Sequence, residues 1–200
     1  MDAVHKDVAQ LLRSPATVRT FRAMMWGYLF FLPSVGTYLD AVGWLLLLTA
    51  VHLTRPARTP LQVWVAAAGL AASVARVAIF RFPGQPPVSY TLLYQFSLAL
   101  SALMLWLQCD TAVALADAAG SRAVRAQALT RRWLYVLQAA FPAIVLVTAP
   151  WLPTGMGGIA LSVGILLASV VITTFVLAFL ANVAKMCVAA AADDEGRSAT

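Results

Sequence analysis

Long apolar runs, separated by short turns rich in Pro, Gly and Arg, dominate this chain. Residues 61–82, 90–115, 133–149 and 158–184 each reach the minimum of about 17 residues for a membrane-crossing helix. Ahead of them, Val4, Val8, Leu11 and Leu12 recur at helical spacing, with Asp2, His5, Lys6 and Gln10 on other faces. That pattern predicts a short amphipathic helix lying on the membrane. Ser14 and Pro15 then suit an N-cap and a first helical position, so a new helix begins there and enters the membrane through residues 21–32.

Residues 24–53 have the apolarity of one span, but Pro33-Ser34-Val35-Gly36-Thr37 and then Asp40 interrupt them. Two short segments result, forming either a tight helical hairpin or a re-entrant loop. Charge counting separates this reading from a single crossing. If the pair enters and leaves on the same side, that side holds twelve basic residues: Lys6, Arg13, Arg19, Arg22, Arg55, Arg58, Arg122, Arg125, Arg131, Arg132, Lys185 and Arg197. The other side receives Arg81, with Arg76 inside a span. A single crossing would instead split the basic residues between the two sides, so the tendency of cytoplasmic loops to be basic favours the hairpin, with both termini cytoplasmic.

Composition agrees with a bilayer as solvent: 62% of residues are hydrophobic and 11% charged, with a mean hydropathy of +0.82. Every backbone polar group in hydrocarbon needs an internal partner, and the runs are too long and unbroken for barrel strands. The expected fold is all-α, a polytopic transmembrane bundle of about six membrane segments at about 20 residues each. Residues 1–20 form the amphipathic juxtamembrane segment and 21–188 the helical domain. Residues 189–200, with Asp193, Asp194, Glu195 and Arg197, lack apolar periodicity and are read as a frayed helix end followed by disorder. The net charge of +6 is attributed to cytoplasmic loops facing anionic lipid, not to nucleic acid. Cys109 and Cys187 fall near cytoplasmic segment ends, where a disulfide is not expected. The mixed charges of the first seven residues argue against a cleaved signal peptide.

No motif for catalysis, cofactor or metal stands out: His5 and His52 are far apart, and there is no nucleotide-binding glycine pattern or nucleophile elbow. The turn Gly155-Met156-Gly157-Gly158 is weak as a phosphate site. The informative polar residues are those at membrane depth, where an ionisable group costs a few kcal/mol unless paired. Arg76 lies about 22 Å along its helix from the cytoplasmic end, and Asp40 sits about 20 Å up at the hairpin tip. Matching depths point to an Asp40–Arg76 ion pair, the alternative being that Arg76 snorkels to the outer headgroups alongside Arg81. Asp110 and Asp117 read as interfacial charges. Tyr94, Gln95 and Gln108, with Tyr90, Gln138 and Asn182, are candidates for a polar lining, and Ser97 and Ser101 share a helix with several of them. Trp26, Trp44, Trp64, Trp106, Trp133 and Trp151 read as interface anchors. The pairs Ala68/Ala72, Gly69/Ser73 and Ser97/Ser101 and the series Ala160/Gly164/Ala168 would permit close helix approach.

Trp26-Gly27-Tyr28-Leu29-Phe30-Phe31-Leu32, followed by Gly36, Asp40 and Val42-Gly43, resembles a family of small polytopic bacterial membrane proteins without an assigned function. Its W-G-x-L-F motif leads through a polar turn to D-x-x-G and a second short apolar segment. A second partial match follows Gln108, at residues 112–116 and Arg132-Trp133-Leu134-Tyr135. The resemblance implies topology only.

These observations favour a multi-pass protein of the inner (plasma) membrane that is not an enzyme and acts as a structural or regulatory unit, through a membrane-protein partner or as a homo-oligomer. Small-solute or ion transport through the broken hairpin is the alternative. An intramembrane lipid-modifying enzyme comes third, resting on Asp40, Asp110 and Asp117.

Overall fold

The computed structural model describes residues 2–31, 37–53, 59–80, 88–148 and 156–198. Among these, all regular structure is helical: α1 Asp2–Arg13, α2 Pro15–Leu29, α3 Thr37–Leu53, α4 Pro60–Phe80, α5 Val88–Ala118, α6 Arg122–Thr148 and α7 Met156–Ser198. The turn at residues 33–36, Arg55, Arg58, Arg81, Trp151 and Gly155 lie outside the described residues, as do the side chains of His5, Lys6, Gln138 and Arg197.

Local chemistry explains most of the boundaries. Ser14 caps α2, its Oγ accepting from Ala16 N at 3.3 Å, and Pro15 follows at the first helical position, where its missing N–H costs nothing. Thr59 and Gln62 form a reciprocal capping box at the start of α4: Thr59 N donates to Gln62 Oε1 at 3.0 Å and Gln62 N to Thr59 Oγ1 at 3.3 Å. Gly120, at φ 67°, ends α5 in a Schellman turn, with Ser121 N donating to Ala116 O at 2.8 Å and Gly120 N to Asp117 O at 3.2 Å.

From α2 onward, successive helices pack antiparallel. Thr20 lies against Ala50 and Gly27 against Gly43 between α2 and α3, while Asp40 meets Arg76 and Trp44 meets Gly69 between α3 and α4. The same reversal joins α4 to α5, α5 to α6 through Asp110 and Arg132, and α6 to α7 through Gln127 and Asn182. The starts of α2, α4 and α6 therefore share one end of the bundle with the ends of α3, α5 and α7. Arg19, Arg22, Arg122, Arg125 and Lys185 all belong to this basic end. The core runs through Phe21, Tyr28, Trp44, Leu47, Met104, Leu105, Phe179 and Leu180. Helix α1 packs on α5 and α7, with Leu12 buried.

Among the described residues, three helices are long and apolar enough to cross a membrane, over Pro60–Ile79, Leu92–Ala118 and Leu166–Asp193. Helices α2, with 15 residues, and α3, with 17, are shorter than the roughly 20 residues of a full span. Helix α6 opens with Arg122, Arg125, Arg131 and Arg132, so its first three turns are basic and amphipathic.

Several sequence expectations change in three dimensions. The tail is helical through Ser198, well past residue 189, because Ala189–Ala192 are strong helix formers that extend α7. Trp44 is fully buried instead of sitting at an interface, whereas Trp26, Trp64 and Trp133 are exposed. The close backbone approach is made by Gly27 and Gly43: a Cβ on Gly43 would lie 2.8 Å from Gly27 O. Gly69 instead makes room for an indole, a Cβ there falling 2.3 Å from Trp44.

Candidate functional site: a buried arginine–carboxylate centre

Asp40 lies in the first turn of α3, where the helix dipole favours an anion, and Arg76 lies one turn before the end of α4. The antiparallel packing of the two helices brings these ends together. Arg76 Nη1 donates to Asp40 Oδ2 at 2.5 Å, and Nη2 donates to Tyr90 Oη at 3.3 Å. The guanidinium carbon lies 5.1 Å from the Tyr90 ring centroid and 4.7 Å from that of Tyr94. The side chains of Arg76 and Asp40 are 4% and 16% exposed, so the pair is largely withdrawn from its surroundings. A delocalised guanidinium tolerates this position because a carboxylate, a phenol and two ring faces divide its charge. Arg76 Nε is buried without a partner among the described residues.

Toward the basic end, the next layer is aromatic. One turn after Asp40, Trp44 donates its indole N–H to Ser97 Oγ at 3.0 Å. Phe31 packs on Trp44 at 5.1 Å and edge-on to Tyr28 at 5.7 Å, and Tyr28 meets Tyr135 at 5.5 Å. Tyr28, fully buried, donates to Ser101 O at 3.5 Å. Below this layer Leu47, Met104 and Leu105 seal the core, each with no exposed surface.

A separate small cavity lies beyond the seal, between α1, α2, α4 and α5. Its volume is about 20 Å³, room for a single water, and its polar lining comprises Thr17, Thr20, Gln62, Gln108 and Thr111. Gln108 is 1% exposed, and neither its Nε2 nor its Oε1 has a hydrogen-bond partner among the described residues.

The sequence-predicted polar residues thus fall into different places. Tyr94 belongs to the arginine centre, Gln108 to the inner cavity, and Gln95 to an outward groove between α5 and α6 beside Phe96 and Trp106. The three do not line one path, since Trp44 and the Leu47–Met104–Leu105 layer separate Tyr94 from Gln108. Asn182 donates to Gln127 Oε1 at 3.1 Å, tying α7 to α6. Nor do the carboxylates converge. Asp110 meets Arg132 at 3.4 Å and Asp117 meets Arg125 at 3.2 Å, both partly exposed and remote from Asp40. A carboxylate held by arginine is a poor general base, and the three acids pair with three different arginines and do not share one site.

Sequence reasoning missed Tyr28, Phe31 and Tyr135 as the aromatic layer, and Gly27 with Gly43 as the crossing point. The available signal was the pair of motifs Trp26-Gly27-Tyr28 and Asp40-Ala41-Val42-Gly43, whose glycines face one another. Compared with known proteins, the chain matches no family model, no curated protein and no solved structure.

Proposed function

We propose that this chain is a multi-pass inner (plasma) membrane protein that acts without catalysis, by associating through α7 with a second membrane protein or with copies of itself. One observation carries the reading. Gly164, Ala168 and Val171 line one face of α7 and are exposed, and a Cβ on Gly164 would meet nothing within 4 Å. Leu167, at 60% exposure, and Val163, at 50%, flank this face. Lipid solvates apolar surface adequately, but small residues at four-residue spacing offer another helix a close approach that acyl chains do not exploit. Buried ionisable groups in membranes otherwise mark transport pathways, and here Asp40 and Arg76 satisfy one another inside the fold.

In the proposed topology about six segments cross or enter the bilayer, α2 and α3 form the short hairpin, and the basic end with both termini faces the cytoplasm. The distribution of basic residues supports this orientation. Single cysteines at positions 57, 86 and 154 test it with an impermeant thiol reagent. Protection at 57 with labelling at 86 and 154 is expected from intact cells, and the reverse pattern would invert the topology.

The association is tested by a photo-crosslinking residue at Ala168 in native membranes, with Leu92 on the exposed face of α5 as comparison. A discrete protein adduct at Ala168 and none at Leu92 is expected. Adducts at neither site, together with isolation as a bare monomer, would overturn the proposal.

Small-solute or ion transport is the second reading, favoured by the unpartnered amide of Gln108 in its polar cavity. Proteoliposome uptake equal with and without the protein over a broad solute panel would remove it.

A further inference from the structure

A groove of about 380 Å³ runs between α2 and α7 at the basic end. Arg22 and Lys185 line it, both exposed, and neither forms an ion pair among the described residues. Its other walls are apolar: Met25 and Ala181 lie one turn from these cations on the side of the bundle centre, with buried Phe21 and Leu180 beneath. The nearest acid along α7, Asp193, is eight residues beyond Lys185, about 12 Å along the axis and one turn past Ala189 at the groove's end. Two cations without an ion pair among the described residues, flanking an apolar trough that Val188 and Ala189 continue past Lys185, match an amphiphile with an anionic head.

We propose that this groove binds one anionic glycerophospholipid, with its phosphate between Arg22 and Lys185 and an acyl chain along Met25 and Ala181. The arginine fork grips two phosphate oxygens, and the lysine adds a compact charge. Net charge selects the lipid, because a zwitterionic headgroup presents its own cation to the two on the protein. The antiparallel course of α2 and α7 makes the match directional. Residues that follow Arg22 on α2 and residues that precede Lys185 on α7 both lead toward the bundle centre, where an acyl chain lies. Free phosphate would engage the cations and leave the apolar walls unused. The inference rests on the membrane reading above but not on association through α7, and its readout is separate from the Ala168 crosslink.

Native mass spectrometry of the full chain, released from mixed micelles of phosphatidylglycerol and phosphatidylcholine with identical acyl chains, tests the site. One tightly retained phosphatidylglycerol is expected, and equal retention of the two lipids would overturn the proposal. R22Q/K185Q is expected to weaken this binding by about 30-fold, the combined effect of two interfacial cations, while R125Q, on the surface ion pair with Asp117, leaves it unchanged. Equal losses from both variants would reduce the effect to general surface charge and overturn the site. A181L keeps both cations and fills the trough, so it is expected to weaken retention, and K185R to preserve it. Full retention in A181L, or displacement of the lipid by millimolar inorganic phosphate, would overturn the assignment of a lipid.

Discussion

Asp40 and Arg76, thirty-six residues apart, join the start of α3 to the end of α4 through an ion pair that two tyrosine rings enclose. Removing one charge leaves the other buried and uncompensated, which costs about 3–5 kcal/mol. Asp40→Asn should therefore lower the thermal unfolding midpoint in detergent far more than Asp117→Asn, which breaks a pair exposed on both sides. Replacing both members, as in Asp40→Leu with Arg76→Met, should restore much of the loss, because the desolvation cost of both ions disappears. Equal, small effects of the two single changes would show that the pair does not hold α3 to α4.

The crossing of α2 and α3 has no room for a side chain at Gly43. A Cβ there lies 2.8 Å both from Gly27 O and from the Phe31 ring, so Gly43→Ala should destabilise by about 1–3 kcal/mol. Gly164→Ala, facing open space, should be neutral or stabilising by up to about 1 kcal/mol through helix propensity. Chemical denaturation of the two variants in the same detergent distinguishes them, and the opposite order would contradict the packing.

Trp44 separates the arginine centre from the rest of the core, and its indole occupies the space left by Gly69. Gly69→Ala should displace the ring and break its bond to Ser97. In reconstituted protein, brominated lipids should quench Trp26, Trp64 and Trp133 but not Trp44, which has no exposed surface. Quenching of a variant retaining only Trp44 to the same extent as one retaining only Trp64 would contradict its burial.

Gln108 carries an amide that no described residue satisfies, beside a cavity large enough for one water. Gln108→Leu keeps the volume and removes the unsatisfied groups, so stability should hold within about 1 kcal/mol or rise. A large loss on thermal unfolding would show that a bound molecule in the cavity completes the amide's hydrogen bonds.

Much of this protein can be read from its chain alone. Apolar run length identifies α4, α5 and α7 as span-length helices, and Ser14-Pro15 marks the start of α2, because each depends on residues close together in sequence. The pairing of Asp40 with Arg76 was also within reach, since equal depth and opposite charge follow from counting residues along helices. Rotation about each helix axis was not. Ala-rich helices in lipid carry weak amphipathic signals, so nothing local distinguishes Trp44, which points inward, from Trp64, which points out. Only tertiary packing decided that Gly27 meets Gly43, that Gly69 shelters an indole, that Tyr94, Gln95 and Gln108 face three different places, and that Arg22 and Lys185 flank one groove. Backbone hydrogen bonding in hydrocarbon dictates helices from sequence, whereas close packing between them depends on the shapes of residues distant in the chain.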